Sequence, residues 1–219
     1  MTAFSHDKDL LRYEAAIFAD LYFPSQVLCE GAGGVLSGTT FTKTGADFVA
    51  AGVRPGGVIC IRDATGSVDT ACEIVSVDAA DQLTVSVLRG GDDDAPIPPP
   101  QSNALHYRIS TFDPQAQQIA RELTEHLGIR PGRPDSLYGV EDVVDATVLR
   151  QAAAYGVLAQ IFATLAEDET AADGLWDKSR HYRRLYEAAR QRCRISIDAG
   201  ADGIIEKRIV GGSARLVRD

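Results

Sequence analysis

The chain has 219 residues, enough for one large domain or two small ones with a sizeable core. Apolar residues make up 45% and charged residues 24%, the balance of a folded globular chain, which argues against wholesale disorder. With 22 Lys+Arg against 31 Asp+Glu the net charge is -9, which argues against a protein that grips nucleic acid over its whole surface.

The N-terminal stretch is polar and acidic, unlike a signal peptide, and the reading is of a soluble chain. Leu10, Leu11, Phe18, Leu21 and Tyr22 recur at helical spacing and predict a helix over 7–22, ended by Pro24. From Val27 to about Arg108 the character changes to Gly, Thr, Val and Ile in short runs between turn residues. Val58–Ile61 and His106–Thr111 read as strands. Ile74–Val77 and Leu83–Val87 read as a hairpin, with Val75 and Val77 on one face and Leu83, Val85 and Val87 on one face of the partner. Five or six such strands predict a small barrel or sandwich. The Asp- and Pro-rich segment 90–103 reads as an exposed loop or linker.

The remainder is mainly helical. Asp113-Pro114 caps a helix that runs to Gly128, and 130–139 is an irregular connector. Residues 141–167 form one long helix or two, and the Ala-rich stretch Ala152–Ala166 is the buried central one, too short to span a bilayer. Residues 171–193 form a last helix with an inner stripe of Leu175, Ser179, Tyr182, Tyr186, Ala189 and Cys193. The tail reads as a hairpin of IIEKRIV and ARLVR around Gly211-Gly212-Ser213. The fold class is therefore α+β. A helical-bundle domain, 1–24 plus 109–219, holds an inserted β-barrel or sandwich module, 25–108, and ends in a hairpin or extended tail.

Catalytic patterns are scarce. The four histidines, His6, His106, His126 and His181, are scattered, and Cys29, Cys60, Cys72 and Cys193 fit neither a zinc module nor a disulfide framework. They read as reduced, mostly buried thiols. No serine sits in a GxSxG turn, and the GAGG run 31–34 and Gly56-Gly57 read as tight turns, not phosphate loops. Asp92-Asp93-Asp94 reads as a solvated loop. Asp198, Asp202 and Glu206 resemble a calcium loop only faintly, and a capped turn with Gly200 and Gly203 at positive φ is the preferred reading. No catalytic residue, cofactor or metal is assigned.

Charge is unevenly placed. Residues 1–150 hold 11 basic and 21 acidic residues, whereas 174–219 hold 11 basic and 6 acidic. Lys178, Arg180, Arg183, Arg184, Arg190, Arg192 and Arg194 cover the polar side of the last helix. That surface reads either as a solvated helix face or as a docking surface for an acidic partner or for phosphates. Arg215, Leu216, Val217 and Arg218 alternate in a way that suits strand addition to a neighbour.

Two stretches carry a resemblance. SGTTFTKTGADFVAAGVRPGGVICIRD with ACEIVSVDAADQLTV resembles a small β module of tailed-bacteriophage structural proteins. LWDKSRHYRRLYEAARQRCRISIDAGADGIIEKRIVGGSARLVR is similar to the last helix and tail of phage head–tail connector, or adaptor, proteins. The resemblance implies a virion neck protein and not an enzyme. It implies a homo-oligomeric ring, a dodecamer in the family, below the portal protein and against the next neck or tail protein. DNA would pass through without specific binding, and no membrane is involved. Another neck or tail protein is the alternative: a stopper, a tail terminator or a tail-associated β module. A hydrolase working through the acidic loops is a distant third.

Overall fold

A computed structural model of the chain describes residues 3–129, 136–168 and 172–211. It is a mixed helix-and-strand protein with a closed six-stranded barrel. The chain divides into two compact units, one of residues 6–112 and one of the remainder.

The first unit begins with two short helices, α1 (Asp7–Leu11) and α2 (Ala16–Ala19), where the periodicity predicts a single helix over 7–22. Asp9 of α1 accepts the His6 backbone N–H at 2.8 Å and so caps the first turn. Both helices pack on the barrel strands, and Leu10, Ile17 and Phe18 are fully buried. They therefore belong with the β module, not with the C-terminal helices as the sequence reading has it. The Phe112 ring meets Phe18 edge-on at 5.3 Å and Phe23 at 5.6 Å, which fixes the end of this unit at residue 112.

The barrel comprises β1 (Val27–Ser37), β2 (Thr40–Thr42), β3 (Val58–Arg62), β4 (Asp69–Ala79), β5 (Gln82–Ser86) and β6 (Ser102–Ser110). All pairs are antiparallel, in the order β1-β2-β5-β4-β3-β6, and β6 closes on β1. Alternation places Ile59, Ile61, Leu83, Val85, Leu105 and Ile109 in its interior, where Phe41 and Phe48 each meet the Tyr107 ring edge to face. The hairpin β4–β5 departs from simple alternation. A bulge between Ile74 and Ser76 turns Ile74 inward and leaves Val75 only half-buried, while Val87 is 41% exposed and bridges to Ile97. GAGG is likewise not a turn. It lies within β1, bulged at Gly33 with φ 79, and a Cβ on Gly34 would come within 2.5 Å of the Phe41 ring.

The Asp- and Pro-rich segment is tied down and not a free linker. Its last two residues, 102–103, already belong to β6. The Arg89 guanidinium pairs with the Glu73 carboxylate, both buried, and its Nη1 donates to the Asp92 and Asp94 carbonyls at 2.8 and 2.7 Å. Arg12 reaches the Arg89 carbonyl at 3.0 Å, and Lys8 pairs with Asp92.

The second unit contains α3 (Asp113–His126), α4 (Arg150–Asp168) and α5 (Ala172–Arg192), with a 3-10 turn, Ala146–Leu149, leading into α4. The run Ala146–Glu167 is longer than the apolar stretch picked from the sequence, and by length and composition alone it could cross a membrane. Instead it packs against α3 and α5, with Ala153, Val157, Leu158, Ile161 and Phe162 fully buried. Gly156 permits that closeness, since a Cβ there would lie 2.9 Å from Ile119 and 3.2 Å from Tyr186. Helix α5 passes into β7 (Arg194–Ile197) through a single residue, Cys193, whose N–H bonds to the Ala189 carbonyl.

The tail holds a strand pair that the sequence reading does not name, while the expected partner ARLVR lies outside the described residues. β8 (Lys207–Val210) pairs antiparallel with β7, Ile195 opposite Ile209. The reason is burial: Ile195 and Ile197 are fully buried and need a partner strand, which the loop 198–206 delivers. Arg215, Leu216, Val217 and Arg218 lie outside the described residues.

Candidate functional site

The site singled out by the sequence is the outer face of α5. Its inner stripe is buried as the spacing predicts, with Ser179, Tyr182, Tyr186, Ala189 and Cys193 each under one-tenth exposed and Leu175 half-buried. Ser179 is tolerated there because its hydroxyl donates to the Ala159 carbonyl of α4 at 2.9 Å. Tyr182 stacks on Phe162 at 5.8 Å, and burial pushes the Tyr186 phenol above its ordinary value. The stripe fixes the rotation of the helix, so the cations are turned outward.

Those cations are not equivalent. The Lys178 ammonium lies 4.9 Å from the Phe162 ring centroid, and the Arg190 guanidinium lies 5.3 Å from that of Tyr186. Arg192 donates from Nε to the Ala188 carbonyl at 3.1 Å and, with Arg190, sits in the last turn, where positive charge suits the helix dipole. These three serve the helix itself. Arg180 approaches Asp177 at 3.5 Å with both side chains exposed, an interaction of little worth. Arg183, Arg184 and Arg194 are exposed and make no ion pair among the described residues. The docking surface thus contracts to Arg180, Arg183, Arg184 and Arg194. On β8, Lys207 and Arg208 are also exposed, with the Lys207 ammonium 5.2 Å from the Tyr138 ring centroid.

The β7–β8 loop brings Asp198, Asp202 and Glu206 together, with carboxylate oxygens within 4.8 Å of one another. These oxygens already have work. Glu206 accepts the Ala199 and Gly200 N–H groups at 2.7 and 3.2 Å, Asp198 those of Asp202 and Gly203 at 3.3 and 2.9 Å. Gly203 has φ 83 as expected of a capped turn, but the second left-handed residue is Ala201, φ 50, and not Gly200.

No family model, curated protein or solved structure matches this chain.

The four thiols are free. Burial pushes Cys29 and Cys60 up to about 11 and Cys72 up to about 12, so none is an activated nucleophile at neutral pH. In the Asp-rich loop, the Asp94 carboxylate accepts the Gly91 N–H at 2.7 Å and Asp92 pairs with Lys8, so these acids anchor the loop.

Sequence reasoning missed one feature. A groove of about 850 Å3 crosses the outer wall of the barrel beside α2, lined by Ala16, Ala32, Cys60, Arg62, Ala71 and Arg108 among others. Its residues come from five elements, and only the strand register brings them together, with Glu30 opposite Arg108, Arg108 opposite Cys60 and Cys60 opposite Ala71. No local signal in the sequence marks it.

Proposed function

We propose that the chain is a structural, non-enzymatic head-to-tail connector of a tailed phage, forming a ring beneath the portal through which DNA passes. The observation that carries this reading is the exposed basic face of α5, with Arg183 and Arg184 unengaged, in a protein of net charge -9. A cationic patch held rigidly on a 21-residue helix suits charge-complementary docking to an acidic protein. Residues 6–112 hold 7 Lys+Arg against 14 Asp+Glu, and like charge facing a channel keeps a duplex sliding, whereas lysine and arginine would hold it. In this reading the helical domain and its tail meet the portal, the barrel is an elaboration of the helical core, and the virion neck is the location.

A second reading is another neck or tail protein, a stopper, tail terminator or tail-associated β module. The closed barrel favours it, since a whole compact unit of residues 6–112 is built around that sheet.

The mass of the purified protein, alone and mixed with its portal, separates these. A ring of about twelve copies seated on the portal is the expected result. A protein that stays a monomer in both, and binds a tail component instead, would overturn the connector reading.

A further inference from the structure

The groove on the barrel wall is lined by Asp20, Glu30 and Asp69 against Arg62, Arg108 and His106. Two of its cations are committed. Arg62 pairs with Asp69 at 2.8 Å, and Arg108 donates to the Phe18 and Ala19 carbonyls at the end of α2 while lying 3.4 Å over the Tyr22 ring. Two further carboxylates line the same groove, and Asp20 also acts electrostatically on Arg62. Asp20, at the end of α2, and Glu30, on β1, are exposed, accept no hydrogen bond and form no ion pair among the described residues. Small side chains, Ala32, Cys60 and Ala71, also line the groove and leave room for a visitor.

The shape limits what that visitor is. The groove crosses four adjacent strands, β1, β6, β3 and β4. At the usual strand spacing that is on the order of 14 Å, the length of about four residues of extended chain. Within the groove β6 and β3 are paired on both sides, whereas β1 at 30–31 and β4 at 69–71 have a strand neighbour on one side only among the described residues. Over β6 and β3, where no edge is open, recognition runs through side chains and not through backbone pairing.

We propose that this groove binds a segment of a partner protein that presents an arginine or lysine to Asp20 and Glu30, with small or apolar neighbours over Ala32, Cys60 and Ala71. The excess of acidic residues in 6–112 draws such a segment in, and the two open carboxylates fix its register. The proposal is independent of the connector reading, which uses the basic helix of the other unit.

The test uses the full chain and calorimetric titration with a short blocked peptide containing two arginines, and its twin carrying citrulline in their place. Three variants are compared with the parent: Asp20→Asn with Glu30→Gln, Ala71→Leu to fill the groove, and Asp93→Asn with Glu125→Gln as a control of equal charge change. Saturable binding is expected in the parent and the control. The loss of two ion pairs weakens it about tenfold in the first variant, and Ala71→Leu and the citrulline twin weaken it as well. Equal weakening in the control would reduce the effect to bulk charge and overturn the proposal. So would the absence of saturable binding, equal affinity for the citrulline twin, or displacement of the peptide by inorganic phosphate, which would mark an anion site.

Discussion

At the scale of single residues the strongest commitment is the buried pair of Arg89 and Glu73. Removing one partner strands the other charge in the interior, and such a loss typically costs about 3–5 kcal/mol, whereas removing both is far milder. Arg89→Met should therefore lower the melting temperature steeply, and adding Glu73→Leu should recover more than half of the drop. A double variant as unstable as the single one would mean that Arg89 acts by holding the Asp92 and Asp94 carbonyls, not by neutralising Glu73. The thiols give a pH signature. Cys60 and Cys72 are pushed from 9.0 to about 11 and 12, so the folded state keeps protons that the unfolded chain releases. Their contribution is complete below about pH 9 and is lost as pH rises through the folded values. Stability measured in denaturant should fall between about pH 9 and 11, more in the parent than in Cys60→Ala. A pH-independent profile over that window would refute the assignment.

At the scale of elements, the N-terminal helices hold the clearest lesson about what a sequence makes legible. Strands β3 and β5 and helices α3 and α5 could be read within a residue or two, because each carries its own period and its own stop signals. Which unit α1 and α2 join could not be read. Leu10, Ile17 and Phe18 announce an apolar face, but nothing local says which surface covers it. The bulge at Val75 was hidden for a similar reason, since a one-residue shift follows from the neighbouring strand and not from the bulged one. The outward face of α5 was legible as a basic surface, yet the split between cations that serve the helix and cations left free needed the rings of Phe162 and Tyr186 in place. A deletion tests the assignment of the helices. Residues 6–112 made alone should unfold cooperatively, whereas 25–112 should be markedly less stable. Burial of Leu10, Ile17 and Phe18 is worth about 1.5–3 kcal/mol each. Equal melting temperatures for the two fragments would return the helices to the C-terminal unit.

At the scale of the whole molecule the question is what the basic surface meets. Arg190 and Arg192 are poor positions to probe, because their loss would disturb α5 itself. Arg180, Arg183 and Arg184 reversed to Glu should leave melting nearly unchanged and abolish association with the portal. If the surface instead holds DNA, duplex affinity in the parent should fall steeply with salt and vanish in the variant, with portal binding intact. That second pattern would replace the docking account with a nucleic-acid one. The joint between α5 and the small sheet bears on either outcome. Cys193 alone separates the last helical residue from β7, its N–H is bonded back into the helix, and its carbonyl accepts the Gly211 N–H beyond β8. A joint of one residue, restrained on both sides, has no slack. Traction on the hairpin from any bound neighbour is therefore transmitted to the helix as torque, and α5 and its sheet respond to mechanical load as one stiff lever.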